Sequence, residues 1–234
     1  MINGYIIAIP EVQSVARLVT TIHDTSSQIR PIVFEATIPE TIDDHLKNEF
    51  NYFDGVDFKW SWPMSSVENH IDMKTGVHKF AYTAVDQQKK IACSVSHMRL
   101  WDLCVTQDKP IIIFEADAMM VRKFDLSEVE GAMLCGLNDP RGATRRASLF
   151  HEKMRKGLQP VPTINGAGEF EPQGLAGASA YYITPKGAKE LLDNVKEYGM
   201  WPNDAYVCKE LFPWIRVVYP YFTKVQGLAS TTTR

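Results

Sequence analysis

The sequence predicts an α/β fold, a single domain with a mostly parallel sheet flanked by helices. Three observations predict it. Short apolar runs alternate with segments of helical spacing from the N-terminus onward, and the most apolar run ends abruptly in acids. The chain also has 234 residues, 45% hydrophobic and 23% charged, which suffices for one substantial core.

Gly4 to Ile9 (GYIIAI) fits a short buried first strand. Val12, Val15, Ala16, Val19 and Ile22 then fall at helical spacing. Pro31 to Phe34 (PIVF) reads as a second strand. Ile38 to Phe50 reads as a second helix through Ile42, Leu46 and Phe50, with Thr41 at a capping position. The order β-α-β-α favours a parallel sheet. Residues 51–85, rich in aromatics and turn residues, show no sustained period and read as loops and short pieces with room for part of a ligand site.

Asp86 to Gln107 puts Ile91, Val95, Met98, Trp101 and Val105 on one face, which predicts the longest helix of the chain, and Lys109-Pro110 breaks it. Ile111 to Phe114 (IIIF) has the all-apolar character of a central parallel strand, and Glu115-Ala116-Asp117 follows at once. Two carboxylates at i and i+2 leave a strand on the same face, so both can reach one cation where the sheet ends. Hard oxygen ligands suit Mg²⁺ or Mn²⁺, and such an ion would neutralise a departing nucleotide diphosphate. Open α/β sheets bind ligands at the carboxyl ends of their strands, which is where this pair falls. The bland alternative is a chance acidic pair after an apolar strand.

The formal net charge of −3 hides an asymmetry. Residues 35–57 hold seven acids against Lys47, whereas residues 141–156 hold Arg141, Arg145, Arg146, Lys153, Arg155 and Lys156 against Glu152. With Gly and Pro on both sides, 141–170 reads as a mobile loop region, either poised for an anionic ligand or simply solvated. The opening MINGYIIAIPEVQSV is too short an apolar run for a membrane span, and the roughly 18 uninterrupted apolar residues of a span occur nowhere else. Cys93, Cys104, Cys135 and Cys208 form no C-x-x-C pair, so they read as reduced thiols of a cytoplasmic protein, in the host cytoplasm were the chain viral.

The run KKIACSVSHMRLWDLCVTQDKPIIIFEADA resembles the central signature of glycosyltransferase family 25, of the lipopolysaccharide-biosynthesis and collagen-galactosyltransferase type. In that family a G-C-x-x-S-H-x-x-x-W helix precedes an apolar strand and an L-E-D-D box. Cys93, Ser96, His97 and Trp101 match the helix, and Glu115 and Asp117 match the box. GLAGASAYYITPKGAKELLD resembles a second family block, and WPNDAY resembles its P-x-D motif. The three blocks keep order and spacing over about half of the chain, residues 86–206. Two departures stand out: Ala116 replaces the usual middle Asp of the box, and Pro10-Glu11 replaces the usual polar turn after the first strand, with Arg17 a basic residue nearby.

The resemblance implies a GT-A fold and transfer of a sugar, with inversion, from a nucleoside diphosphate such as UDP to a hydroxyl. It implies donor contacts from Ile9, Pro10, Glu11, Arg17, Ser96, His97, Glu115 and Asp117, with Glu115 and Asp117 holding Mn²⁺ or Mg²⁺. Asp204 is the candidate base, or else an N-cap. His97 is either a hydrogen-bonding partner of the substrate or a satisfied structural histidine. Arg141, Arg145, Arg146, Gly177, Ala178 and Ser179 are candidate acceptor contacts. Gly177 to Ser179 would let a sugar approach the backbone, or would merely permit tight strand packing. Trp60, Trp62 and Trp201 are stacking surfaces or core. Three readings of function follow: transfer to an anionic, lipopolysaccharide-type glycan, transfer to a hydroxymethylated base of viral DNA, and a non-catalytic nucleotide-sugar-binding protein.

Overall fold

The structure, a computed structural model, describes residues 1–9, 13–65, 70–81, 86–143, 146–164 and 171–227. The chain begins β1 (Ile2–Ala8), α1 (Gln13–Thr25), β2 (Ile29–Glu35) and α2 (Ile42–Asn48). A small hairpin, β3 (His70–Ile71) and β4 (His78–Lys79), precedes the long helix α3 (Gln87–Gln107). Then come β5 (Ile111–Glu115), β6 (Ala118–Met120), β7 (Leu134–Gly136), α4 (Ala147–Glu152), β8 (Gly157–Pro160) and β9 (Ala180–Ile183). The chain closes with α5 (Pro185–Tyr198), α6 (Asn203–Tyr206), β10 (Arg216–Tyr219) and β11 (Thr223–Val225).

Seven strands form one sheet in the order β2-β1-β5-β9-β7-β10-β8. β2, β1, β5, β7 and β10 run in one direction, while β9 and β8 are reversed. The sheet is thus mixed, with a parallel majority. Reversing β9 has a consequence for the site: its first residue lies at the same edge as the last residue of β5.

The side chains of β5 alternate between two cores. Ile111 and Ile113 pack with α3 and α5, whereas Ile112 and Phe114 pack with α1 and β6. A strand buried on both faces must be apolar throughout, and each such side chain contributes about 1.5–3 kcal/mol by leaving water. Helix α3 starts where the Asp86 side chain accepts from the Gln88 N–H, and stops at Asp108, which takes a left-handed conformation (φ 48°). Its buried Asp102 carboxylate accepts from the backbone N–H groups of Asn51, Tyr52 and Phe53 at 2.9, 2.7 and 2.9 Å, which pins the loop after α2. Helix α5 starts at Thr184, whose hydroxyl accepts from the Gly187 N–H, with Pro185 in the first turn.

Thr41 precedes α2, but its hydroxyl binds the Ile38 backbone instead of capping the helix. The segment 141–170 contains α4 and the edge strand β8. No helix of the described residues is long and apolar enough to cross a membrane.

Candidate active site

The carboxyl ends of β1 and β5 lie side by side, with Ile7 opposite Glu115. Ile9, exposed, leaves the sheet beside that acidic end. From the other side, the Glu115 N–H donates to the Ser179 carbonyl at 2.8 Å, which draws Gly177, Ala178 and Ser179 to the same edge. Gly177 has φ +74°, and a Cβ there would lie 2.7 Å from the Ala143 Cβ, so this turn is packed tightly as well as left-handed. Ala178 and Ser179 are buried.

Lys90, Cys93 and His97 follow one stripe of α3, three and four residues apart, and that stripe faces the end of β5. His97 is 0% exposed. Its Nδ1 lies 2.8 Å from the Tyr181 hydroxyl, which also accepts from Trp101 Nε1 at 2.9 Å. Its Nε2 has no hydrogen-bond partner and lies 3.6 Å from Glu115 Oε1. The half-buried Cys93 completes a cluster in which a sulfur, an imidazole nitrogen and a Glu115 oxygen lie within 4.8 Å of one another. Burial, reinforced by the charges of Glu115 and Asp204, pushes the Cys93 thiol well above its ordinary pKa.

Asp117 sits in the turn between β5 and β6. One of its carboxylate oxygens is buried without a partner. Burial first, then the charge of Glu115, pushes its pKa up to about 6. The turn is strapped from behind by the residue after β11. The Gln226 N–H donates to the Asp117 carbonyl at 2.7 Å, and its side-chain amide donates to the carbonyls of Ala118 at 2.9 Å and Ser14 at 3.0 Å.

Asp204 enters from a third direction, on α6. Ser94 of α3 fixes that approach, because its hydroxyl reaches the Trp201 carbonyl at 3.2 Å. Pro202 occupies the N-cap position of α6 and no side chain caps the helix, so the N-cap expectation for Asp204 gives way to a free carboxylate. Asp204 keeps a solvent-exposed face while the surrounding protein encloses the rest of it. That enclosure raises its pKa, the charge of Glu115 raises it further, and Lys90 and His97 draw it down. Beside it, Asn203 is buried at 3% exposure, and neither polar atom of its side chain has a partner. Buried polar atoms are normally satisfied, so the unpartnered atoms of His97 and Asp117 near Glu115, and of Asn203 next to Asp204 in the chain, are candidate ligand contacts.

Other predicted site residues lie elsewhere or are already engaged. The Ser96 hydroxyl accepts from the Thr37 N–H at 2.8 Å and donates to the Ala92 carbonyl at 3.0 Å, so it ties α3 to the loop after β2. Arg17 is exposed on α1, with no ion pair to the carboxylates among the described residues. Pro10, Glu11 and Arg145 lie outside the described residues. Arg141 pairs with Asp139 at 2.7 Å and Arg146 with Glu171 at 2.8 Å, so the basic segment carries its own counter-charges. Trp62 and Trp201 are core, 5.5 Å apart, with the buried Lys79 ammonium 4.1 Å from the Trp201 ring and paired with Asp72 at 2.8 Å. Trp60 is partly buried, and its Nε1 is unpartnered.

Gln226 was not singled out by sequence reasoning and carried no signal. Asn203 falls beside Asp204 in the WPNDAY motif, and Tyr181 lies in the strand that follows the small residues 177–179, but sequence reasoning gave neither a role.

An α/β sheet that gathers carboxylates and unpartnered polar groups at the carboxyl edge of its strands has them where open α/β sheets bind ligands. The model of glycosyltransferase family 25, described as an LPS biosynthesis protein, matches residues 29–207, and the chain belongs to this family. No curated protein sequence is significantly similar to the chain. Among solved structures, the chain is similar to the galactosyltransferase LgtC in complex with donor and acceptor sugar analogs. That match has 13% identity and a TM-score of 0.39, and covers 92% of this chain and 73% of that one. It is also similar to apo mouse xyloside xylosyltransferase 1, at 13% identity and a TM-score of 0.35, over 92% of this chain and 71% of that one.

Proposed function

We propose that the chain transfers a sugar from a nucleoside diphosphate, of the UDP-sugar class, to a hydroxyl of an anionic saccharide of the lipopolysaccharide type. The observation that carries this reading is that His97 Nε2 and Asp117 Oδ1, both buried and unpartnered, lie near Glu115, whose charge also reaches Asp204.

The donor set fits a hard divalent cation, since Asp117 offers a buried oxygen without a protein partner and Glu115 a partly exposed carboxylate two residues away. Mn²⁺ or Mg²⁺ held there would supply charge neutralisation to the departing diphosphate. In the transfer, the acceptor oxygen bonds to the anomeric carbon, the bond from that carbon to the diphosphate oxygen breaks, and the acceptor proton goes to Asp204. Its raised pKa suits a general base better than an ordinary surface Asp. The Asn203 amide and His97 Nε2, both without protein partners, would hydrogen-bond sugar hydroxyls. Attack opposite the leaving group gives the inversion that the family implies.

A nucleic-acid acceptor fares less well, because Arg141 and Arg146 are already paired, and Arg155 and Lys156 lie beside β8 at the far edge of the sheet. The test is release of UDP from a panel of UDP-sugars with Mn²⁺, with and without hydroxymethylated duplex DNA, and with Asp117→Ala as control. Asp117-dependent release without DNA stimulation supports the glycan reading, and DNA stimulation moves the acceptor to nucleic acid. Absence of both binding and turnover leaves the non-catalytic reading.

A further inference from the structure

Cys93 and His97 stand one turn apart on α3 and face Glu115. Together they form the one trio of metal-ligating side chains found this close among the described residues. His97 is fully buried, and its unpartnered Nε2 is aimed at this space. We propose that Cys93, His97 and Glu115 form a binding site for a borderline transition cation, Zn²⁺ foremost, which shares Glu115 with the hard-cation pair and competes with it.

Geometry and ligand chemistry both support the site. Ligands at about 2.0–2.3 Å around a tetrahedral Zn²⁺ sit roughly 3.3–3.8 Å from one another. His97 Nε2 and Glu115 Oε1 are already 3.6 Å apart, and Sγ closes the triangle within the 4.8 Å envelope. A thiolate and an imidazole favour Zn²⁺ over Mg²⁺ or Mn²⁺, whereas Glu115 with Asp117 offers oxygen alone. Three protein ligands leave a fourth position open for water or another ligand. The Tyr181 hydroxyl on Nδ1 is the outer-shell partner that orients a metal-bound imidazole.

Binding balances in protons. The Cys93 thiol releases its proton to solvent, and the imidazole proton resides on Nδ1, which donates to Tyr181, leaving the Nε2 lone pair for the cation. A plain His97–Glu115 pair would need no sulfur. On the reading of sugar transfer given above, an ion in this trio withdraws Glu115 from the hard cation and lowers transfer.

Binding is tested independently of transfer by titrating Co²⁺ into the whole protein and following the thiolate-to-metal charge-transfer and tetrahedral d–d absorbance, then displacing it with Zn²⁺. The expected result is a saturable band in the unmodified chain and in Asp117→Asn, and its loss in Cys93→Ala. Glu115→Gln should weaken Zn²⁺ binding by more than the about 10–100-fold that loss of an outer-shell partner costs. No thiolate band, or one unchanged in Cys93→Ala, overturns the site. In the transfer assay, Cys93→Ala should keep its Mn²⁺-supported rate and lose inhibition by Zn²⁺. Equal inhibition of both proteins overturns the competition while leaving the transferase reading intact.

Discussion

The hydroxyl of Tyr181 lies 2.8 Å from Nδ1 of His97, and both residues are completely buried. Because Trp101 Nε1 can only donate, and does so to the same hydroxyl, the Tyr181 proton remains available for Nδ1. An imidazole tautomer with its proton on Nε2, toward Glu115, would accept that hydroxyl proton at Nδ1. Tyr181→Phe strands the Trp101 donor and the His97 acceptor in an apolar wall. We expect a loss of about 2–4 kcal/mol in urea unfolding, the cost of two unmet buried polar groups. An unchanged midpoint would show that the hydroxyl holds neither ring.

Asp102 does comparable work for the loop at 51–53. Three backbone N–H groups converge on one buried carboxylate, and they have no other partner of this quality nearby. Asp102→Ala should cost about 2–4 kcal/mol, with Asp102→Asn in between because an amide keeps one acceptor oxygen. Hydrogen exchange at Asn51, Tyr52 and Phe53 reads the effect directly, and protection surviving in Asp102→Ala would refute it.

Asp204 is expected to act in the transition state and not in ground-state binding. Asp204→Asn should therefore lower kcat by about 10²–10⁴-fold while leaving KM within a few-fold. A base must be ionised to accept a proton, so the rate of the unmodified chain should rise with pH through a midpoint above the ordinary Asp value, as its raised pKa requires. That limb should vanish in Asp204→Asn. If the limb persists in the variant, the base is another group.

The main features of the fold were legible where one physical signal dominated. The apolar run at 111–114 with its acidic end and the long helix through Trp101 both appear as the sequence predicts. The reversed β9 was not legible, because a four-residue buried strand has the same composition whichever way it runs. Strands as short as β6, β7 and β11 carry too few residues for a period to emerge. In the site, Glu115 and His97 could be placed from motif and spacing. Gln226 could not, nor could the unpartnered state of the Asn203 amide, since burial and partnering are created only by tertiary structure.

Asp117 gives the sharpest pH prediction. Its folded-state pKa of about 6 lies above the ordinary 3.8, because burial and the charge of Glu115 both oppose ionisation. A raised carboxyl pKa means that the folded state holds the proton more tightly than the unfolded state. The stability this contributes is complete below the unfolded pKa and is lost as pH rises through about 6. The metal-free protein should therefore gain thermal stability from Asp117→Asn at pH 7.5 and little at pH 4. A divalent cation binds only the ionised form, so the increase in Tm produced by Mn²⁺ should grow as pH rises through about 6 and should disappear in Asp117→Asn. A Mn²⁺ effect that is flat across this range, or that survives the substitution, would remove Asp117 from the cation site. Loss of the effect in Asp117→Asn but not in Cys93→Ala would separate the hard-cation site from the thiolate site that shares Glu115.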